Sequence, residues 1–157
     1  HFRQMRSPQR DQTETRETIR DLETFVTRYP DSALMPEVKT HLREAQDRLS
    51  TSELEVGRFY YRIRWYPGAI DRLTLLLKTD PSFTYRDRAY LYLAEAYVKV
   101  DRPAEALPIL EKLVQEFEQS EVLEDATKLI AEIKALPPKD PSLPPLPPLP
   151  KTVAKTN

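Results

Sequence analysis

The chain has 157 residues, 39% of them hydrophobic and 31% charged, which suffices for one domain with a real core or for a short repeat array. No apolar run approaches the roughly 18 residues of a membrane span, the opening His1-Phe2-Arg3-Gln4-Met5-Arg6 has no signal-peptide hydrophobic segment, and the lack of cysteine excludes disulfide scaffolds, zinc ribbons and thiol catalysis. Its 24 basic and 25 acidic residues leave a formal charge of −1, without the basic excess that marks phosphate-binding chains.

Two glycines, no alternating Val/Ile/Thr runs and a 3.6-residue periodicity through most of the chain predict an all-α fold. The first residue is not Met and the opening reads as the inside of a helix or loop, so a fragment of a longer protein is expected. A first helix is expected from residue 11 or 13 to 28, with Ile19, Leu22, Phe25, Val26 and Tyr29 on its inner face. Tyr29-Pro30-Asp31-Ser32 stops it, because a residue before proline is driven out of the α region. Val38, Leu42, Ala45, Leu49, Ser52, Val56, Phe59 and Ile63 then alternate spacings of four and three. That repeat predicts one helix over 34–64, with Pro36 tolerated in its first turn; a break at Ser50-Thr51-Ser52 is the alternative.

Residues 56–72 gather both glycines, Gly57 and Gly68, and the only tryptophan, Trp65, so close packing and turn chemistry are concentrated at one helix-turn-helix corner. Pro67 suits the first position of the next helix, which runs to residue 78 and buries Ile70, Leu73, Leu76 and Leu77. A helix over 85–100 follows, with Tyr90, Leu93, Ala94, Tyr97 and Val98 inside. Another over 103–118 buries Ala106, Ile109, Leu110, Leu113 and Phe117, and Pro108 within it removes the bond to the Ala104 carbonyl and predicts a slight bend. Ser120 is the expected N-cap of a last helix reaching residue 136, striped by Val122, Ala126, Leu129, Ile130 and Ile133. Residues 137–150 are dominated by proline and predict extended polyproline II. The expected organisation is a helical-repeat domain over 1–136 and a Pro-rich tail over 137–157.

An internal repeat supports this reading. Gly57 aligns with Ala94, Tyr60 with Tyr97, Ala69 with Ala106, Leu73 with Leu110 and Leu76 with Leu113. The pattern resembles the tetratricopeptide repeat, a helix pair of about 34 residues, in two units over 50–83 and 87–120; the first helix looks like the second half of an upstream unit. Small residues at Gly57 and Ala69 let antiparallel helices approach closely. These residues are read as packing and establish a fold rather than a site.

Catalysis needs converging nucleophiles, acids or metal ligands, and the chain offers only His1 and His41, no Gly-rich phosphate loop, and acidic residues spread along helix faces. No enzyme, metal or cofactor is expected. The aromatic and basic cluster around Arg62, Arg64, Trp65 and Tyr66 could stack on bases, but Glu53, Glu55 and Asp71 dilute its charge, so nucleic acid is not the expected partner. Protein binding is the default for a helical solenoid.

Arg10-Asp11, Tyr29-Pro30-Asp31-Ser32, Arg48-Leu49, Val56-Gly57-Arg58-Phe59-Tyr60-Tyr61 and Ala69-Ile70-Asp71-Arg72, in this order, give a closer likeness. Over residues 2–136 the chain resembles the C-terminal half of the BamD family, lipoproteins of the bacterial outer-membrane β-barrel assembly machinery; the Pro-rich tail lies outside the resemblance. It implies a periplasmic scaffold tethered to the outer membrane by an N-terminal lipid anchor preceding this stretch. It also implies docking on the POTRA region of a BamA-like barrel protein, beside other assembly subunits. In that family an arginine early in the helix after the turn contributes to docking, and Arg72 matches its position. Arg62, Arg64 and Tyr66 are further candidates for the same surface. An internal ion pair of Arg72 with Asp71, Glu53 or Glu55 is the competing reading. Leu143, Leu146 and Leu149, repeating every three residues, share one polyproline II edge, so the tail either docks on a groove or serves as a spacer. A generic tetratricopeptide adaptor of a division or pilus system is the alternative function.

Overall fold

The computed structural model describes residues 8–138 and 144–149. Six helices follow one another: α1 (Pro8–Arg28), α2 (Met35–Arg62), α3 (Tyr66–Thr79), α4 (Arg86–Lys99), α5 (Pro103–Glu116) and α6 (Leu123–Lys134). Among the described residues there is no strand, and no helix is long and apolar enough to cross a membrane. The chain divides into two compact units, His1–Ser52 with Ser82–Thr84, and Glu53–Pro81 with Tyr85–Asn157.

In the first unit α1 already includes Pro8, the first described residue, so it takes in residues before the expected start at 11 or 13. Ile19, Leu22, Phe25 and Val26 are half-buried, whereas Tyr29, expected inside, is 55% exposed. Its ring lies 5.2 Å from that of Phe25 just past the last turn. The α2 helix starts with Pro36 in its second position, and residues 35–52 of it belong to this unit. A carboxylate on α2 pins the turn that follows Pro81. Asp47 accepts the Thr84 N–H at 3.1 Å and the Thr84 hydroxyl, and Arg43 holds the same carboxylate from one turn earlier at 2.9 Å. Phe83 in that turn is fully buried.

The second unit takes the last ten residues of α2, then α3 to α6, each packed on its neighbour in sequence. Ser50-Thr51-Ser52 does not break α2. Ala69, Leu73, Ala94, Ala106, Leu110 and Leu113 are fully buried, so most of the residues that carry the internal repeat lie in the core, while Tyr60 and Tyr97 are half-buried. The α4 helix also buries Ala89, Leu91 and Ala96, beyond the one-sided stripe predicted, because α3 and α5 both pack on it. Pro108 lies on the exposed side of α5 with Ala104, so the unpaired Ala104 carbonyl can reach water.

Two expectations need correction here. Phe59 and Ile63, placed on the inner stripe of α2, are 53% and 55% exposed. The buried line in this half of the helix is Leu54 and Gly57, with Tyr61 half-buried, each two positions before the predicted residue. Two positions are roughly 200° of rotation, so α3 packs on nearly the opposite face. Ser120 is not the N-cap of α6, which starts at Leu123 after Val122. The Ser120 hydroxyl instead donates to Asp87 on α4 at 2.6 Å and accepts the Val122 N–H at 3.1 Å. Asp87 with Ser120 and Asp47 with Thr84 are thus two copies of one device, a helix carboxylate gripping a hydroxyl in the turn before a later helix.

Candidate protein-docking site

The corner between α2 and α3 is closed by backbone geometry. Arg64 takes a left-handed φ of 64°, its N–H bonds the Tyr61 carbonyl at 3.0 Å, and the Trp65 N–H bonds Tyr60 at 2.9 Å. That is a Schellman termination, with 6→1 and 5→2 bonds satisfying the last carbonyls. The corner between α4 and α5 repeats it 37 residues later: Asp101 has φ 62°, its N–H bonds Val98 at 3.0 Å, and the Arg102 N–H bonds Tyr97 at 2.9 Å. Neither glycine supplies the turn. Both sit in helices with ordinary φ, and their role is close approach. A Cβ on Gly57 would lie 2.6 Å from the Leu73 side chain, and one on Gly68 would lie 2.1 Å from the Trp65 indole. Gly57 thus lets α3 approach α2, and Gly68 seats the tryptophan ring over the first turn of α3.

Around this corner Phe59, Ile63 and Trp65 present large apolar surface to solvent, with Trp65 43% exposed. Arg62 and Arg64 are exposed among them and make no ion pair among the described residues. Exposed aromatic and aliphatic anchors with arginine at their border have the composition of a protein interface. The sequence reading did not offer Phe59 and Ile63 as surface because it assigned them to the core. The signal was present in the second stripe, Leu54-Gly57-Tyr61, whose glycine marks the face that another helix touches.

Arg72 lies in the second turn of α3. Its Nη1 is 3.6 Å from Glu53 Oε2, so of the internal partners that the sequence permitted the ion pair is with Glu53, and the side chain remains 40% exposed. The structure does not gather all the candidates into one cluster. Arg72 stands level with Glu53, whereas Arg62 lies nine residues further along α2, roughly 13 Å at 1.5 Å per residue. Tyr66 is half-buried and meets Tyr61 edge-on, ring centroids 5.4 Å apart. Burial, then Glu95, then Tyr66 push the Tyr61 phenol pKa up. Glu95 on α4 is itself pushed above the usual carboxylate range, by burial first and by the Asp125 charge second, with Lys99 opposing. Arg58 reaches across to α4, its guanidinium 5.1 Å from the Tyr92 ring centre.

Of the tail candidates, Leu143 lies outside the described residues, Leu146 is 40% exposed and Leu149 is half-buried. The Pro147 carbonyl between them accepts a hydrogen bond from Arg102 Nη2. His41 is exposed, 3.5 Å from Glu44, and no group of His, Asp and Glu among the described residues could hold a metal ion. An open depression of about 540 Å³, lined by Phe25, Tyr29, Pro30, Leu34 and Arg28, lies in the first unit and brings together no catalytic set.

The chain has recognisable relatives. It is 26% identical over 106 residues to the outer membrane protein assembly factor BamD of Caulobacter vibrioides, a match covering 68% of this chain and 35% of that protein. The chain therefore spans about a third of the length of the curated relative that it matches. Residues 1–107, which take in α1 to α4 and the corner just described, match the sequence profile of the YfiO family, described as outer membrane lipoprotein. The chain belongs to this family of outer membrane lipoproteins.

Proposed function

We propose that this chain is a non-enzymatic scaffold of outer-membrane β-barrel assembly that docks on the periplasmic POTRA region of a BamA-like barrel protein. In this reading α1 to α6 form a tetratricopeptide-type solenoid over 1–136, residues 137–157 are an extended Pro-rich tail, and a lipid anchor at the N-terminus of the full-length protein tethers it to the periplasmic face of the membrane. The observation that carries the docking surface is the exposed side of the α2–α3 corner. Phe59 and Ile63 lie on the face of α2 turned away from α3, and Trp65, Arg62 and Arg64 flank them.

Arg72 contributes the directional contact. Its pair with Glu53 is long and half-exposed, a kind of ion pair worth little in water, so a partner carboxylate that engages the guanidinium in a fork exchanges a weak contact for a stronger one. Tyr66 supports the surface from behind through Tyr61, and the tail leucines Leu143, Leu146 and Leu149 form a second contact edge. A charge reversal, Arg72→Glu, tests the reading by co-purification from solubilised envelopes. The barrel protein should be lost from the complex while helicity is retained; unchanged co-purification would refute docking through Arg72.

A further inference from the structure

The tail residues 144–149 run without helix or strand beside the corner between α4 and α5, where the Pro147 carbonyl accepts from Arg102. We propose that this corner is a polyproline II receptor and that the chain's own Pro-rich tail occupies it.

The chemistry is matched on both sides. A Pro-Pro-Leu chain in polyproline II makes no internal hydrogen bonds and lacks N–H groups at its prolines, so it offers a row of unpaired carbonyl acceptors. A guanidinium offers five donors and no acceptor. Arg102 is fixed before it meets the tail. Its backbone N–H closes the Schellman turn onto Tyr97, Asp101 before it is left-handed, and Nη1 pairs with Glu105 at 3.2 Å, which leaves Nη2 to point at the tail.

Coverage supports the assignment. Arg58, Arg72 and Arg88 each pair with one carboxylate and keep 42%, 40% and 41% of their side chains exposed, whereas Arg102 keeps 14%. The three-residue period places Leu146 and Leu149 on one edge with the Pro147 carbonyl off it, and Leu149 is half-buried where it lies. The internal repeat shows what is special here. The residue equivalent to Arg102 in the α2–α3 corner is Trp65, whose ring lies over Gly68, so at this position of the repeat the guanidinium belongs to the α4–α5 corner.

The absence of cysteine makes the test direct, because Pro150→Cys creates a single labelling site in the full chain. With a nitroxide on that residue, the amide signals of residues 100–102, 104 and 105 should lose more than half their intensity, and Arg102→Ala should restore most of it at unchanged helicity. Unattenuated corner signals, or attenuation that Arg102→Ala leaves in place, would overturn the proposal. If Arg102→Ala lowers helicity, replacing residues 144–149 by Gly and Ser examines the contact from the other side. Restored corner signals then support it, and persistent attenuation refutes it.

Discussion

At the scale of single residues, the corner of α2 and α3 separates two uses of glycine that sequence alone merges. Gly57 faces Leu73, which is fully buried and has nowhere to move. Gly57→Ala should therefore lower stability, because overpacking costs about 1–3 kcal/mol and the gain in helix propensity returns only about 1. Gly68 faces Trp65, which is 43% exposed and can swing outward. Gly68→Ala should leave stability within about 1 kcal/mol of the parent while shifting tryptophan fluorescence to the red; thermal denaturation and emission spectra on both variants check the contrast. The strained residue is Arg64. A left-handed non-glycine costs roughly 1–2 kcal/mol, and glycine's extra freedom in the unfolded chain takes back roughly 0.4–1, so Arg64→Gly should stabilise by about 0.5–1 kcal/mol in urea unfolding.

Glu95 supplies the pH dependence. Its carboxyl is raised in the folded state by burial and by Asp125, so folding favours the protonated form. The stabilisation that this gives is complete below the unfolded pKa, about 4.3, and is lost as pH rises through the higher folded value. Glu95→Gln should raise the melting temperature at pH 7 and have little effect at pH 4; an equal effect at both values would show that burial and Asp125 do not control this group.

At the scale of elements, the paired devices Asp47 with Thr84 and Asp87 with Ser120 each tie a helix carboxylate to a hydroxyl in a later turn. Ser120→Ala leaves the Asp87 carboxylate short of a donor, and hydrogen bonds to charged groups are worth about 1.5–3 kcal/mol. A double-mutant cycle of Asp87→Ala and Ser120→Ala should show coupling of about 0.5–3 kcal/mol; additive losses would mean that the contact contributes nothing of its own. Helix identity and order were legible in the sequence, because periodicity and proline stops act locally. Ser120 was legible as a cap by residue type but not by partner, since Asp87 is 33 residues away.

At the scale of the whole chain, most of the small and large residues aligned 37 apart are buried, and the family match covers residues 1–107. What the apolar spacing alone could not show was which of two stripes on α2 faces α3. Both have spacings of three and four, and only the position of Gly57 opposite Leu73 decides between them. That choice turns Phe59 and Ile63 from core into surface, and with Trp65 they supply apolar area that charged residues alone could not. Arg72 enters as a candidate through resemblance and not through pattern; its pairing with Glu53 depends on two helices meeting.

The most direct measurement is the affinity of this chain for a purified POTRA region of a BamA-like protein at physiological salt, compared between the parent, Arg72→Glu and Ile63→Asp, with circular dichroism on each. The expected result is binding by the parent and losses of at least about tenfold, or about 1.4 kcal/mol, in both variants at unchanged helicity. Absence of binding by the folded parent, or equal affinity in all three, would contradict a docking role for this surface.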